Sequence, residues 1–326
     1  MSNQTLITGG CGFIGSHMVE YFHSQNIDIT VLDKYNSDNS YGWLNHYKYK
    51  KDINFIMGDI RDYDLVKSSM IGCKNLIHLA ALIGIPYSYI SPLAYLRTNI
   101  EGTYNVLQAA REIDGFDDIL ITSTSEVYGS GEEFPMNETH PLKAQSPYSA
   151  TKISADSISL SFYRSFDLPV TILRPFNNFG PRQSNRAIIP TIISQLLNDS
   201  PHIELGNLQT SRDFTFVLDT AMAFYQMLGK KQYGETFNIS SGHEITVFDL
   251  ISKISNLINI KKTIKSSEVR IRPIKSEVTR LLGDSSKIKK VINWQPKYSF
   301  SDGLIKTIDW FTKSSNFIDK SSQYIV

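Results

Sequence analysis

The sequence predicts an α/β fold in which a doubly wound parallel sheet is joined to a second, smaller α+β domain. Three observations lead to this prediction: short apolar runs alternate with amphipathic segments in the first half, a glycine-rich turn follows the first run, and the pattern changes after about residue 176. Short continuous apolar runs are typical of parallel strands that helices cover on both faces. The 326 residues exceed one typical domain and suit two closely joined domains.

The first domain is predicted to span residues 1–175, with a buried strand at each apolar run. The six runs occupy residues 5–8, 28–32, 54–57, 75–79, 119–122 and 170–173. Ser91-Pro92 supplies a helix N-cap and a proline at the first helical position, so a helix is expected over residues 92–111. A second long helix is expected over residues 148–166, because Leu168-Pro169 disfavours its continuation.

The second domain is predicted to span residues 176–326 and to contain shorter strands mixed with helices. Its strands are expected at residues 203–205, 215–217 and 236–239, and an amphipathic helix is expected from Ser301 to about Thr312. A smaller domain of this kind packs over the open edge of the first sheet and closes a cleft. Some strands and helices of the two domains can interleave, because the first sheet can take strands from the second half.

The composition excludes several classes of partner and site. Net charge is +1 with 20% charged residues, so nothing points to nucleic acid or to an anionic membrane. No run of ~18 or more apolar residues is present, and Met1 to Gln4 lead straight into a strand, so neither a membrane span nor a signal peptide is expected. Cys11 and Cys73 are too few for a disulfide framework or a zinc site, which favours a reducing cytoplasm and no metal.

A glycine-rich turn indicates a dinucleotide site at the end of the first strand. Glycine at three-residue intervals permits a tight turn, close approach of a pyrophosphate, and packing of the next helix on the sheet. That helix presents free N–H groups and its positive end to the phosphates. Asp33 stands 21 positions after Gly12, where a carboxylate binds a ribose diol and repels a 2′-phosphate. This Rossmann pattern predicts NAD, held by Gly9, Gly12, Phe13, Ile14, Gly15 and Asp33; Cys11 is interpreted as a small space-filling residue.

Two further segments indicate redox chemistry on an alcohol. Tyr148 and Lys152 are four residues apart, so their side chains share one helix face, and a nearby ammonium is expected to lower the tyrosine pKa. Such a pair occurs in many helices by chance. It gains weight from the segment 122–129, Thr-Ser-Thr-Ser-Glu-Val-Tyr-Gly, which ends a strand at the carboxyl edge of the sheet, where such folds bind ligands.

Over nearly its whole length the chain resembles the extended short-chain dehydrogenase/reductases that act on nucleotide sugars. The resemblance rests on a set of motifs: the glycine turn 9–15, Asp33, residues 58–62, 78–81, 98–99, Thr124, Tyr148 with Lys152, residues 174–181 and residues 212–214. It implies NAD as cofactor and a nucleotide-sugar substrate held by the second domain. It further implies that Tyr148 takes the proton of the sugar 4-hydroxyl, that Lys152 holds the nicotinamide ribose, and that Thr124 hydrogen-bonds the sugar oxygen.

The resemblance also implies the remaining binding residues. Cofactor contacts are expected from Asp59, Ile60, Leu79, Ala80, Ala81, Thr98 and Asn99. Contacts with the nucleotide diphosphate of the substrate are expected from Asn177, Arg186, Arg212 and Arg272. Arginine suits this role because its planar fork pairs with phosphate oxygens. Related enzymes often dimerise through a four-helix bundle, so a homodimer is expected in which each subunit contributes the helices 92–111 and 148–166.

Glu126 and Ser125 bear on which reaction follows oxidation at C4. Glu126 looks like the glutamate of nucleotide-sugar 4,6-dehydratases, which removes the C5 proton before water leaves C6. Many of those enzymes carry an Asp-Glu pair with Asp as the general acid, whereas this chain has Ser125-Glu126. Either Glu126 acts as base and then as acid, or water supplies the proton. The segment is also similar to that of uronate decarboxylases, so a UDP-uronate decarboxylase and a UDP-sugar 4-epimerase stay open.

Two segments favour a particular substrate. Residues 80–89 and 182–191 look like those of 4,6-dehydratases of nucleotide-linked N-acetylglucosamine, which feed bacterial surface sugars. UDP-N-acetylglucosamine is therefore the preferred substrate among nucleotide hexoses. A non-catalytic NAD-binding protein on the same scaffold is a remote alternative.

Overall fold

The computed structural model describes residues 4–313; residues 1–3 and 314–326, with the predicted N-terminal lead-in and the end of the predicted second domain, lie outside the described range. The first half contains β1 (Thr5–Thr8), α1 (Phe13–Ser24), β2 (Ile29–Asp33), β3 (Asn54–Met57), α2 (Tyr63–Ser69), β4 (Asn75–His78), α3 (Ile85–Ile90), α4 (Pro92–Tyr95), α5 (Gly102–Ile113), β5 (Asp118–Thr122), α6 (Pro147–Phe166) and β6 (Val170–Pro175). The second half contains β7 (Asn177–Phe179), α7 (Ile188–Leu197), β8 (His202–Leu205), β9 (Ser211–Phe216), α8 (Val217–Met227), β10 (Thr236–Ile239), β11 (Glu244–Thr246), α9 (Val247–Ile258), β12 (Thr263–Ser266), β13 (Arg280–Leu281), α10 (Ser286–Ile292) and α11 (Phe300–Lys313).

A seven-stranded parallel sheet forms the centre of the molecule, in the order β10-β6-β5-β4-β1-β2-β3. Alternate residues of each strand enter cores on opposite faces: Leu6 packs with α2, α5 and α6, whereas Ile7 packs with α1 and α8. The chain winds outward in one direction from β1 and in the other from β4. The crevice between these strands at their carboxyl ends is where ligands bind in doubly wound folds. The predicted fold class is confirmed.

The second half supplies one strand to this sheet. Strand β10 pairs in parallel with β6, with Phe237 opposite Leu173, and both residues are fully buried. Helix α8 packs on α1. The apolar residues of β10 therefore extend the first core, which is the interleaving that the sequence left open. A domain boundary near residue 175 stays a prediction, with this strand and helix placed across it.

A smaller sheet is built around β9, which pairs with β7 and β13 in parallel and with β11 in the opposite sense. Helices α7, α9 and α11 cover it, and β8 pairs with β12 beside it. The strand predicted at residues 215–217 begins earlier, at Ser211, and Val217 already belongs to α8. Across the part of the chain that the structure describes, no helix is long and apolar enough to cross a membrane.

The two long predicted helices begin as their sequence signals indicate. Helix α6 starts at Pro147, and Ser146 caps it by accepting the N–H of Ser149 at 3.1 Å. Pro92 opens the other helix, although the side chain of Ser91 makes no capping hydrogen bond. That helix continues to Ile113 through a π-helical stretch, Leu96–Glu101, which sequence periodicity does not reveal.

Asp219 provides a pH-dependent contribution to stability. Its carboxylate lies in the first turn of α8 and accepts the backbone N–H groups of Lys297 at 2.8 Å and Tyr298 at 3.4 Å. Burial raises the pKa of Asp219 to about 6, although these hydrogen bonds oppose the shift. A carboxyl whose pKa is higher in the folded than in the unfolded chain stabilises most at acid pH. Its contribution is complete below the unfolded value, ~3.9, and is lost as pH rises through about 6.

Asp219→Asn removes this titration while keeping the shape of the side chain. We expect the free energy of unfolding of the wild type, relative to that of the variant, to fall as pH rises from ~4 to ~7. Urea unfolding of both proteins at several pH values measures this difference. A difference that stays constant, or that grows with pH, would contradict the assignment.

Candidate active site

The glycine turn brings the backbone of β1 against the end of β4. Gly9 has a positive φ of 74°, and a Cβ there would lie 2.8 Å from the backbone nitrogen of Ala80. A Cβ at Gly15 would clash with the carbonyl oxygen of Gly9, so α1 can approach the turn only with glycine at this position. The helix begins after Gly12 with no side-chain cap, which leaves the first N–H groups, at Phe13 and Ile14, for an anion.

Asp33 is fixed beside this turn at the end of β2. Its Oδ2 accepts the N–H of Cys11 at 2.6 Å and its Oδ1 accepts the N–H of Lys34 at 2.7 Å. Burial raises the pKa of Asp33, and the two backbone hydrogen bonds oppose that shift. Burial and the nearby Asp33 raise the pKa of the Cys11 thiol, so this cysteine stays protonated and is a poor nucleophile.

The residues predicted beside adenine and the cofactor groove differ in how they are held. Asp59 pairs with Arg61 at 2.6 Å, which lowers the pKa of Asp59, while Ile60 is buried. Leu79 and Ala80 each donate a backbone N–H to Thr8 Oγ1 at 3.2 Å, and Ala81 follows them. These residues line the carboxyl edge of the sheet next to the glycine turn.

Thr98 and Asn99 lie in the π-helical stretch between α4 and α5. The side chain of Asn99 is buried and is used within the protein, because it accepts the N–H of Leu82 at 2.8 Å and donates to the carbonyl of Leu82 at 2.9 Å. It also donates to Thr151 Oγ1 at 3.0 Å. Asn99 therefore fixes the loop after β4 against α6, and a direct contact of Thr98 or Asn99 with the cofactor stays a prediction.

Tyr148 and Lys152 are both buried on α6. Lys152 Nζ donates to the carbonyl of Thr122 at 2.7 Å, at the end of β5. The pKa of Tyr148 is raised chiefly by burial, then lowered by a hydrogen bond with Thr124 and raised by the charge of Glu126. The expected lowering of the tyrosine pKa by Lys152 is therefore wrong for the chain by itself. The Lys152 ammonium donates to the backbone carbonyl of Thr122, and burial has the larger effect on the pKa of Tyr148.

The loop after β5 places Glu126 within electrostatic range of Tyr148, the predicted redox tyrosine. Residues Ser125–Tyr128 form a 3₁₀ turn in which the N–H of Glu126 donates to Thr124 Oγ1 at 3.2 Å, and Ser125 is buried. The negative charge of Glu126 raises the pKa of Tyr148 and also acts to raise that of Arg212. One carboxylate thus lies within electrostatic range of both the predicted redox tyrosine and a predicted diphosphate ligand.

Three of the four predicted substrate residues converge at β7 and β9. Arg212 is buried, donates to the carbonyl of Ser211 at 2.9 Å and pairs with Glu277 at 3.5 Å. Burial lowers the pKa of Arg212 and the charge of Arg272 lowers it further. Asn177 begins β7 opposite Phe214. Asn177 Oδ1 and Arg272 Nη1 are buried without a hydrogen-bond partner within residues 4–313, which suits polar groups that a ligand completes.

Arg186 is the fourth predicted substrate residue. Its side chain is exposed, and its charge lowers the pKa of Tyr95, whose ring centroid is 6.2 Å from that of Tyr148. Arg186 therefore lies within electrostatic range of Tyr95, which contacts Tyr148. A contact of Arg186 with the diphosphate stays a prediction.

Comparison with known proteins now identifies the family. A family model described as GDP-mannose 4,6 dehydratase matches residues 6–307. The chain belongs to this family. The match agrees with the predicted resemblance to extended short-chain dehydrogenase/reductases, and the protein is an NAD-dependent nucleotide-sugar 4,6-dehydratase.

Individual relatives match the dehydratase over nearly its whole length. The low-salt glycan biosynthesis protein Agl12 of Haloferax volcanii is 33% identical over 314 residues, 94% of this chain and 97% of the relative. The dTDP-glucose 4,6-dehydratase of Xanthomonas campestris pv. campestris is 30% identical and covers 96% and 94% of the two chains. The dTDP-glucose 4,6-dehydratase DesIV of Streptomyces venezuelae, solved with NAD bound, has a TM-score of 0.89 at 28% identity and covers 97% and 99%.

The residues of the dehydratase fit its cofactor, NAD. The uncapped start of α1 and the side-chain-free turn match a pyrophosphate, and the Asp33 carboxylate lies where a ribose diol follows. Within the range that the structure describes, no cluster of three or more His, Cys, Asp or Glu side chains could hold a metal ion.

Sequence reasoning missed several residues that shape the site of the dehydratase. Tyr95 packs edge-on against Tyr148, and its hydroxyl donates to the carbonyl of Gly84 at 2.5 Å. Burial raises the pKa of Tyr95 to about 12. Asp156 lies one turn after Lys152, a spacing that could have revealed it. Glu277 pairs with Arg212 across 65 positions of sequence (277 minus 212), and no local pattern reports such a contact.

Proposed function

We propose that this dehydratase acts on UDP-N-acetylglucosamine, and that Glu126 removes the C5 proton after Tyr148 has assisted oxidation at C4. The observation that carries the assignment of the base is the place of Glu126, within electrostatic range of both Tyr148 and Arg212. Arg212, Arg272 and Asn177 hold the nucleotide diphosphate, and Thr124 and Tyr148 bind the C4 oxygen of the sugar.

The mechanism follows from the positions of these side chains. Tyr148 accepts the proton of the C4 hydroxyl as phenolate, a form that the positive charges of Lys152 and of bound NAD would favour against the effect of burial, with Thr124 holding the oxygen. Bound NAD supplies the hydride acceptor and later returns the hydride, so it is regenerated. A ketone at C4 stabilises negative charge at C5, and the Glu126 carboxylate then takes the C5 proton. The hydroxyl leaves C6 as water and leaves a C5–C6 double bond conjugated with the ketone. Return of hydride to C6 and of a proton to C5 gives a 4-keto-6-deoxy sugar, whereas return of hydride to C4 and of a proton to O4 leaves a 5,6-alkene.

Ser125 occupies the place of the usual general acid. A serine hydroxyl is a poor proton donor at neutral pH, so Glu126, once protonated, or a water molecule delivers the proton to the leaving hydroxyl. We expect Ser125→Ala to keep dehydration within about threefold of the wild-type rate, well short of the ~10²-fold or larger loss typical when a general acid is removed. Steady-state turnover of both proteins measures this. A loss of two orders of magnitude would assign the acid role to Ser125 instead.

The choice of sugar rests on two segments that meet near the catalytic tyrosine. Gly84, in the first segment, accepts a hydrogen bond from Tyr95, and Arg186, in the second, acts on the pKa of the same tyrosine. Tyr95 in turn contacts Tyr148. These segments are the ones that resemble 4,6-dehydratases of nucleotide-linked N-acetylglucosamine, and their place supports a role in recognising the sugar. Named relatives act on other sugars, which include dTDP-glucose.

A substrate panel tests the proposal. The enzyme is incubated with UDP-N-acetylglucosamine, UDP-glucose, dTDP-glucose, GDP-mannose and UDP-glucuronate, and product masses are followed. The proposal expects loss of one water, with kcat/KM highest for UDP-N-acetylglucosamine. Preference for dTDP-glucose would overturn the substrate and keep the reaction. A UDP-uronate that loses carbon dioxide would indicate a decarboxylase, an unchanged mass with inverted C4 would indicate an epimerase, and tight NAD binding without turnover would indicate a non-catalytic protein.

We further propose that two copies of the chain pair through the helices between Pro92 and Ile113 and helix α6. Apolar side chains are exposed along this face: Leu93 is 56% exposed, Leu96 47% and Tyr104 46%. An open groove runs between the helices and is lined by Leu96, Ile100, Tyr104 and Ile158 together with the charged residues Arg97 and Glu101. Exposed apolar side chains that cluster on one face favour association with a second copy of the chain.

Light scattering tests the pairing. The wild type is expected to show the mass of a dimer and Leu93→Glu that of a monomer. Ile274→Glu, at a 92% exposed position outside this face, serves as the matched control and is expected to stay dimeric. A wild-type monomer at working concentration would overturn the proposal.

A further inference from the structure

A buried ion pair between Asp156 of α6 and Arg174 of β6 has no part in the roles assigned above. Asp156 follows Lys152 by four residues on α6, so the two side chains share one face of the helix. Its Oδ2 accepts hydrogen bonds from Arg174 Nε at 3.1 Å and Nη2 at 3.0 Å. The side chains of Asp156 and Arg174 are only 2% and 5% exposed. The pair is therefore shielded from water.

The Asp156 carboxylate is also hydrogen-bonded to the loop after β5, residues 123–128, here called the catalytic loop. Ser123 Oγ donates to Asp156 Oδ2 at 2.7 Å. Ser123 stands between Thr122, whose carbonyl accepts Lys152, and Thr124, which hydrogen-bonds Tyr148. A single carboxylate thus connects the helix that carries the catalytic pair with the strand end and loop that complete the site.

Arg174 extends the connection to β10, the edge strand of the sheet. Its Nη1 donates to the hydroxyl of Tyr128 at 3.1 Å, and that hydroxyl donates to Asn238 Oδ1 at 2.7 Å. This series of hydrogen bonds joins α6, the catalytic loop, β6 and β10. Mutual positions of these elements therefore depend on the buried pair.

Stability alone does not account for this pair. Removing two charges from water is costly, and apolar residues of similar volume often serve a core as well or better. What apolar residues cannot supply is a negative charge beside Lys152 and Tyr148. Burial lowers the pKa of Lys152 and the charge of Asp156 opposes that shift, whereas burial raises the pKa of Tyr148 and the charge of Asp156 adds to that shift.

We infer that Asp156 is a positioning residue for the dehydration reaction: it fixes α6 against the catalytic loop and supplies the negative charge that balances Lys152, while Arg174 holds its carboxylate in place. This inference rests on the proposed roles of Tyr148 and Lys152. Charged and titratable groups from several elements surround Asp156, Lys152 and Tyr148. They are Arg174 of β6, Glu126 and Tyr128 of the catalytic loop, Tyr95 of α4 and His78 of β4. Among them, His78 is fully buried, and burial lowers its pKa to about 3, so it stays neutral.

Asp156→Asn in the full-length, NAD-loaded enzyme tests the inference. Asparagine keeps the shape and one acceptor oxygen but removes the charge, which lowers the pKa of both Tyr148 and Lys152. We expect both limbs of the kcat profile against pH to move to lower pH. The ratio of the rate at the acid end to the rate at the alkaline end then rises roughly tenfold. The probe is UDP-N-acetylglucosamine, or the sugar of the panel that the wild type turns over fastest.

Two further variants separate positioning from general stability. Asp156→Glu restores the charge and is expected to return the limbs toward those of the wild type. Ser123→Ala keeps the ion pair and removes one hydrogen-bond donor to the Asp156 carboxylate. Less of the negative charge is then compensated, so the limbs of the kcat profile are expected to move the opposite way, to higher pH. This variant carries the test if thermal unfolding shows that Asp156→Asn does not fold.

The outcomes are distinct. A kcat that falls evenly at all pH values, with unmoved limbs in both Asp156→Asn and Ser123→Ala, would reduce Asp156 to a structural role and overturn the inference. Failure of the proposed function would look different, because the wild type would then turn over none of the nucleotide sugars. Opposite shifts in the two variants support the inference.

Discussion

Glu126→Gln is expected to abolish the loss of water while leaving oxidation at C4 intact. Glutamine has the size of glutamate and keeps the backbone hydrogen bond to Thr124, but it cannot accept the C5 proton. Removal of a general base typically lowers the rate by about 10²–10⁴-fold. The sugar is then held as the 4-ketone, and reduced cofactor accumulates.

Two measurements separate this result from a loss of folding or binding. Rapid mixing with the nucleotide sugar is expected to show the absorbance of reduced cofactor persisting in the variant, while mass analysis shows no dehydrated product. Glu132→Gln, at an exposed carboxylate of the same loop region, is the matched control and is expected to behave as the wild type. Dehydration at the normal rate in Glu126→Gln would show that another group removes the C5 proton.

Tyr148→Phe is expected to stop the reaction one step earlier. The phenylalanine ring keeps the edge-on contact with Tyr95 and the buried place on α6, so the fold is expected to be unchanged. Without the hydroxyl, the proposed acceptor of the C4 proton is lost, and the rate falls by about 10²–10⁴-fold. Neither reduced cofactor nor dehydrated product is expected to form.

The two variants therefore give opposite transients from the same substrate. Reduced cofactor accumulates in Glu126→Gln and is absent in Tyr148→Phe, which assigns the proton of C5 to one residue and the proton of O4 to the other. Tyr104→Phe, at a hydroxyl outside the site, is the control for loss of a tyrosine oxygen. If Tyr148→Phe formed reduced cofactor at the wild-type rate, the redox role of Tyr148 would be refuted.

The groups found from the sequence belong to local patterns. The glycine turn, Asp33 and the Tyr148–Lys152 pair each rest on fixed spacing within one or two elements, and backbone geometry converts that spacing into shared faces and free N–H groups. The family model, the relatives and the solved structure bear out the fold and the NAD cofactor that these patterns predicted, and the 4,6-dehydratase activity that the family resemblance implied.

The groups missed from the sequence depend on contacts between distant segments. Arg174 pairs with Asp156 across a strand and a helix, and Glu277 reaches Arg212 through the fold of the second half. The tyrosine pKa was mispredicted for the same reason, because spacing placed Lys152 beside Tyr148 but could not report the burial that dominates.

The sequence by itself determined the six strands of the first half, the turn that fits a dinucleotide, and the shared helix face of Tyr148 and Lys152, because these follow from periodicity and short-range geometry; the assignment of Glu126 came from the family resemblance. Only the tertiary structure decided that β10 joins the first sheet, that Asn99 is occupied with Leu82, and that Asp156 lies in a buried ion pair. Those outcomes depend on which apolar surfaces meet and on how much water they exclude, and burial of that kind is a property of the folded chain as a whole.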